Sequence, residues 1–285
     1  MPILGHRTAM DDVRYIEANG LRFAYLEQGR GPLVLLLHGF PDTPHTWSHV
    51  QPLIAAKGYR TVAPWTRGYA PTAIPKTDAD LETLGRDALA LIEALGEKTA
   101  IVIGHDWGAA TAYTAASLEP AKVSKLIAVG IPHPASLKPT PLAVWKVRHF
   151  VAYKFRGAAR RFARNDFAAL PAIVKRWSPA WTPAPEELAA VRECFADQAS
   201  LDAAFGYYRE LRFRPQKFLR HPIGVPTVAF AGLDDPNVKP ANYHSAKRMF
   251  TGDYTVEEMR GGHFMHREHP DTFAAQLLPH LAATS

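Results

Sequence analysis

One aspartate stands where its type and setting could do chemistry directly. Thr99–Ala109 reads TAIVIGHDWGA, a short apolar run rich in β-branched residues, then Gly104-His105-Asp106-Trp107-Gly108, then a helix-like segment. The pattern G-x-S-x-G displays a nucleophile on a sharp strand-to-helix turn, and small residues flank it because the backbone approaches too closely for a Cβ. Gly104 and Gly108 hold the glycine positions here, and Asp106 replaces the serine. A free carboxylate titrates near ~3.9, so it is already anionic at neutral pH. It needs no base to activate it and can displace a leaving group at a saturated carbon. The plainer alternative is an ordinary turn whose Asp caps the following helix.

Two later segments supply partners for such a nucleophile. Gly232-Leu233-Asp234-Asp235-Pro236 and Gly261-Gly262-His263-Phe264 each follow a strand-like run, giving the order nucleophile, acid, histidine. Attack by Asp106 leaves an alkyl ester that must then be hydrolysed. His263 would take a proton from the attacking water. Asp235 would fix the imidazole tautomer and stabilise the imidazolium. Asp235 is preferred by its offset from Gly232, with Asp234 the alternative, and both types suit turns. Ester hydrolysis passes through an oxyanion. The Trp107 amide is one expected donor and the Phe40 amide, in His38-Gly39-Phe40-Pro41-Asp42, the second. Each such donor is typically worth about 2.7–4 kcal/mol.

The elements that must position these groups alternate between strand and helix. Val13–Asn19 and Leu21–Gln28 read as a hairpin around Asn19-Gly20. Leu33–Leu37 (LVLLL) suits a buried parallel strand. Trp47–Lys57 is helical in pattern, Tyr59–Ala63 a strand, and Asp80–Leu95 a helix with apolar residues at helical spacing and Gly96 as its stop. The Ala100–Ile103 strand, the turn at Asp106, a helix from Trp107 to about Leu118 and the Val123–Val129 strand follow. Helical patterns then run over Trp145–Arg164, Asp166–Trp177, Glu186–Phe195 and Ser200–Arg212, broken by Ser178-Pro179 and Pro183-Ala184-Pro185. Alternation resumes with a strand at Val225–Ala231, a helix at Ala241–Phe250, a strand at Tyr254–Met259 and a helix at Asp271–Leu281. This is an α/β pattern: a mostly parallel sheet covered on both faces. The expected core is 1–130 with 222–285, and 131–221 is a helical cap inserted into it. The candidate residues fall after strand ends, where open α/β sheets bind ligands.

Composition limits the partners. With 285 residues and 47% hydrophobic content the chain can bury a large core. No run approaches the ~18 apolar residues of a membrane span, and MPILGHRTAMDDVRYIE has no signal-peptide apolar region. A single cysteine, Cys194, excludes an internal disulfide and suits a reducing, cytoplasmic setting. The net charge of +6 comes from the middle: residues 131–221 hold 16 Lys/Arg against 7 Asp/Glu. Such an excess could steer an anionic substrate or an acidic surface, or be a solvated helix face. No nucleic-acid motif, metal-ligand spacing or phosphate loop is present. The expected partner is therefore a small-molecule substrate, with no nucleic acid, membrane, metal or cofactor. Oligomeric state is open.

Taken together, HGFPD (His38–Asp42), RGYAPT (Arg67–Thr72), GHDWGA (Gly104–Ala109), GLDDP (Gly232–Pro236) and GGHFMHREHP (Gly261–Pro270) resemble the α/β-hydrolase superfamily, in the branch of epoxide hydrolases and haloalkane dehalogenases. The resemblance spans the chain outside the cap. It implies the α/β-hydrolase fold and, most closely, an epoxide hydrolase acting without a cofactor. Enzymes of that kind protonate the epoxide oxygen from the cap, usually with two tyrosines. Phe205-Gly206-Tyr207-Tyr208-Arg209 resembles the second tyrosine motif, with Tyr208 as donor and Tyr207 beside it. The first donor should lie in Trp145–Arg156, where His149 is preferred and Tyr153 is the alternative. His38, Pro41 and Tyr207 are expected to line the substrate site. A dehalogenase is the alternative reading, with Trp107 and a cap tryptophan (Trp145, Trp177 or Trp181) binding halide. The helix after Asp106 lacks the arginines of fluoroacetate dehalogenases.

Overall fold

The computed structural model describes residues 13–137, 145, 148–212 and 214–282. Its strands are β1 (Arg14–Ala18), β2 (Leu21–Gln28), β3 (Leu33–Leu37), β4 (Arg60–Pro64), β5 (Ala100–His105), β6 (Val123–Val129), β7 (Thr227–Gly232) and β8 (Tyr254–Met259). They form one sheet in the order β1-β2-β4-β3-β5-β6-β7-β8. The β1–β2 and β2–β4 pairs are antiparallel, and the other neighbours are parallel. Asn19 and Gly20 both take positive φ, 45° and 71°, as a two-residue hairpin turn requires. β3 and β5 are buried at every position, which is why they read as continuous apolar runs rather than alternating ones.

The helices before the insertion are α1 (Val50–Ala56), α2 (Leu81–Ala94) and α3 (Trp107–Leu118). The Asp80 side chain accepts the Thr83 amide and caps α2, a contact worth about 1 kcal/mol. α3 is buried from Trp107 through Ala116. Its small residues let it lie close against the sheet while α2 covers its outer side.

Between β6 and β7 come α4 (Arg148–Lys154), α5 (Ala158–Phe162), α6 (Ala169–Trp177), α7 (Ala189–Ala196) and α8 (Gln198–Glu210), with no strand among the described residues. The helical pattern over Trp145–Arg164 is interrupted at Gly157, which takes φ 84° between α4 and α5. α6 starts only at Ala169, because Asn165, Asp166 and Phe167 have positive φ. Two later helices, α9 (Pro240–Ser245) and α10 (Pro270–Leu277), are shorter than their apolar patterns and each passes into a 3-10 turn. After α10 that turn contains Pro279, which has no N–H to continue an α-helix. The Trp47–Lys57 pattern likewise divides into a 3-10 turn, Pro44–Trp47, and α1.

The inserted helices bear on the ends of the parallel strands. Phe40, just beyond β3, meets rings from four of them: Tyr153 on α4, Phe162 on α5, Phe195 on α7, and Phe205 and Tyr208 on α8, at centroid distances of 5.4–5.9 Å.

Candidate active site

Asp106 joins β5 to α3 with φ 53° and ψ −117°. That backbone is strained for a residue with a Cβ, at a cost on the order of 1–3 kcal/mol. Neighbours hold it there: its amide donates to the Val129 carbonyl at 3.2 Å, and its carbonyl accepts from the Ala109 and Ala110 amides. The flanking glycines are required by space. A Cβ on Gly104 would run into the Gly108 carbonyl, and one on Gly108 into the Leu37 carbonyl at the end of β3.

The two carboxylate oxygens of Asp106 have different neighbours. The Phe40 N–H donates to Oδ1 at 2.8 Å. His263 Nε2 stands 3.3 Å from Oδ2, and His263 Nδ1 stands 3.4 Å from Asp235 Oδ2. Asp235 is fixed in turn, its Oδ1 accepting the Asn237 and Val238 amides at 2.7 and 3.1 Å. Asp234 instead accepts the Gly261 amide at 3.0 Å, so it ties two loops together and leaves His263 to Asp235. The Trp107 amide is the first of α3, one of those that a helix leaves without an internal acceptor.

Burial alone would hold the His263 imidazole neutral. Hydrogen bonding and charge from Asp106 and Asp235 outweigh it and raise the pKa to about 10. His263 is therefore an imidazolium between two carboxylates at neutral pH.

Three supports of His263 were not legible in the sequence. Its amide donates to the Trp177 carbonyl at 3.0 Å, and the Phe264 amide donates to Ser178 Oγ at 3.0 Å. The end of α6 thus pins the histidine loop, where Ser178-Pro179 had signalled only a helix break. His105 Nε2 lies 3.0 Å from the His263 carbonyl oxygen. Burial holds His105 neutral, so its hydrogen sits on Nε2 and is donated to that carbonyl.

The expected substrate-lining residues divide. Burial lowers the His38 pKa to about 4. Its Nδ1–H donates to the Gly39 carbonyl at 3.0 Å, and its Nε2 accepts the Thr66 amide at 3.1 Å. Both nitrogens serve the backbone, bracing the Phe40 loop against the loop after β4. The Tyr207 hydroxyl donates to the Arg67 carbonyl at 2.6 Å, and its ring packs edge-on to Trp107 at 5.5 Å. Pro41 is buried, next to Phe40.

Tyr208 is built differently. It is fully buried; hydrogen bonding from the Trp107 side chain, a donor only, reaches its hydroxyl, and the hydroxyl's own proton has no acceptor among the described residues. Burial, and then the charge of Asp106, raise its pKa well above 10, so it keeps its proton. Its ring stands edge-on to Trp107 and Phe40, at 5.3 and 5.4 Å. The Tyr153 ring is 5.0 Å from Tyr208, and burial pushes its pKa up to about 12. His149 belongs to the same helix, α4; its side chain lies outside the described residues.

One group among the described residues, Asp42, His105 and His266, brings metal-type donor atoms within 4.8 Å of one another. Asp42 already accepts the Thr43 amide and faces Arg267 at 3.3 Å, while His266 Nε2 meets Thr46 Oγ1 at 2.6 Å. The guanidinium opposes a cation at that point.

The family described as alpha/beta hydrolase fold matches residues 32–270. The AB hydrolase superfamily protein YfhM of Bacillus subtilis is 35% identical, over 95% of this chain and 99% of that protein. Epoxide hydrolase A of Mycobacterium tuberculosis is 26% identical, over 94% of this chain and 96% of its own length. The structure of a variant epoxide hydrolase from Bacillus megaterium superposes with a TM-score of 0.82 at 25% identity, covering 94% of this chain and 99% of that one. No helix among the described residues is long and apolar enough to cross a membrane. The chain belongs to the α/β-hydrolase fold family, and it is a hydrolase.

Proposed function

We propose that this hydrolase opens epoxides to vicinal diols through a covalent Asp106 ester. The observation that carries the proposal is the Tyr208 hydroxyl: a buried, protonated donor whose own proton has no acceptor among the described residues, close enough for the Asp106 charge to act on it. An oxirane needs such a donor as its C–O bond breaks, whereas a departing halide does not. The names of the relatives support the same reading.

Asp106 Oδ1 is occupied by the Phe40 N–H, so Oδ2 attacks the oxirane carbon. The ring C–O bond breaks and the oxygen takes the Tyr208 proton, a contribution of roughly 10²–10⁴-fold for positioned acid catalysis. His149 or Tyr153 on α4 is the second donor. Esterification removes the Asp106 charge that held His263 protonated, and the imidazolium returns its proton to the Tyr208 phenolate. Neutral His263 then draws a proton from water, whose oxygen attacks Cγ of Asp106. The oxyanion forms on Oδ1, where Phe40 and Trp107 donate. Collapse expels the diol oxygen, which takes the proton from His263. The new carboxylic acid gives its own proton to His263, restoring the carboxylate–imidazolium pair. Pro41 and the rings of Tyr207 and Trp107 form the wall of the site. Segment 131–221 acts as the cap over the core, 1–130 with 222–285, and we place the protein in the cytoplasm on its single free cysteine.

The test offers purified protein styrene oxide and, separately, a bromoalkane. Diol from the first without halide from the second is expected. Halide release without diol would replace this reading with a dehalogenase.

A further inference from the structure

The two sides of α4 differ. Its inner side carries Phe150 and Tyr153, whose rings lie 5.2 and 5.0 Å from Tyr208, and Lys154, whose amino group donates to the Arg209 and Leu211 carbonyls at 2.9 and 2.6 Å. Its outer side and the residues flanking its two ends leave large apolar groups in solvent: Trp145 and Phe155 are each 62% exposed, and Val151 is 39% exposed. In the sequence, Trp145, Arg148, Ala152 and Phe155 follow at three- and four-residue intervals, the spacing of one helical stripe. The Arg148 guanidinium lies over the Trp145 ring at 4.2 Å, and Arg161 Nη1 stands 4.0 Å from where a Cβ on Gly157 would be. From Trp145 to Arg164 the sequence has seven Lys/Arg and no Asp/Glu. Of these, Arg148, Arg156, Arg160, Arg161 and Arg164 are exposed. The next acid, Asp166, is already paired with Arg192 at 2.8 Å.

We propose that this outer face of α4 and the adjoining start of α5 dock on an anionic lipid bilayer. The charge selects the occupant. A second copy would bring against themselves the same arginines, which have no acidic partner among the described residues. Exposed Trp, Val and Phe side chains enter the headgroup–acyl boundary, while arginines beside them meet lipid phosphates. A basic side chain near an anionic leaflet adds attraction of about 1 kcal/mol. A nucleic acid would satisfy the arginines but offers no hydrocarbon to Val151. The expectation of no membrane partner rested on the lack of a spanning segment, which says nothing about a surface contact. Docking stands on this face alone. Its consequence, delivery of lipid-dissolved epoxides to the helix that carries Tyr153, rests on the function proposed above.

The test is co-sedimentation of the full chain with vesicles of phosphatidylcholine, with or without phosphatidylglycerol. Binding is expected only to the anionic vesicles and should weaken with salt. Two surface variants, Trp145→Ser with Phe155→Ser, and Arg148→Glu with Arg156→Glu and Arg161→Glu, should each lose at least about tenfold in partitioning. Circular dichroism and turnover of a water-soluble epoxide verify that both variants are folded. Absence of binding to anionic vesicles, or binding that neither variant changes, overturns the proposal. So does binding that duplex DNA abolishes and that Trp145→Ser with Phe155→Ser leaves intact, which would assign the face to nucleic acid. Because sedimentation needs no turnover, a failure here is separable from a failure of the epoxide reading.

Discussion

The backbone carbonyl of His263 accepts a hydrogen bond from the ring of His105, at 3.0 Å and across 158 residues of sequence. His105 immediately precedes Asp106, so one turn of chain displays the proposed nucleophile and also braces the proposed base. His105→Leu removes the donor and leaves a buried carbonyl unsatisfied, at a cost of about 1–3 kcal/mol. His105→Gln keeps an N–H at a comparable reach. Stopped-flow tryptophan fluorescence should show ester formation little changed in His105→Leu and ester hydrolysis slowed by about tenfold or more, with Gln restoring most of it. Equal slowing of both steps would mean that His105 only supports the fold.

Tyr208→Phe removes a hydroxyl whose proton has no acceptor among the described residues and which meets only the donor side chain of Trp107. Thermal unfolding should therefore change little, while epoxide turnover falls by roughly 10²–10⁴-fold. A large loss of stability would show that the hydroxyl is structurally bonded rather than held for substrate. Phe substitutions at His149 and Tyr153, compared side by side, identify the second donor by which one also slows ring opening.

Burial alone would depress the His263 pKa, and the two carboxylates raise it to about 10, above the unfolded value near ~6.5. The folded state therefore binds the proton more tightly. The resulting stabilisation is fully present below about pH 6.5 and is lost as the pH rises through about 10. Melting temperatures of wild type and His263→Gln measured from pH 6 to 10.5 should converge at the alkaline end. Parallel curves would contradict a charged His263.

The turn at Asp106 depends on space as well as on hydrogen bonds. Gly104→Ala and Gly108→Ala each place a methyl against a backbone carbonyl, which is not a flexible neighbour that can move aside. Each should destabilise by at least about 2 kcal/mol in chemical denaturation. Wild-type stability in either variant would mean that the turn has another shape.

Much of this arrangement was legible in the sequence for physical reasons. Gly104 and Gly108 are visible because close backbone approach restricts residue type. β3 and β5 are visible because strands buried on both faces must be apolar throughout. The preference for Asp235 over Asp234 could be stated from spacing, but only the Gly261 amide shows what Asp234 is used for. Contacts that join distant segments through the backbone left no such trace. Ser178 reads as a helix break, because a serine that accepts the Phe264 amide has the same composition as one in a loop. His38 was expected at the substrate, and its two bonds to Gly39 and Thr66 depend on where β4 ends in space. Helix ends were blurred where 3-10 turns continue the apolar pattern, as after α9 and α10. The outer face of α4 could be read as charge, but its exposure required the fold.

The ester on Asp106 is tested most directly by a single turnover of epoxide with enzyme in excess in ¹⁸O-water. Mass spectrometry of the product and of the peptide containing Asp106 then follows the label. Diol without solvent label, together with one ¹⁸O in the Asp106 carboxylate, is the expected result, because the diol takes its second oxygen from Oδ2 and water replaces it. Diol carrying solvent ¹⁸O from that first turnover, with Asp106 unlabelled, would contradict the covalent mechanism.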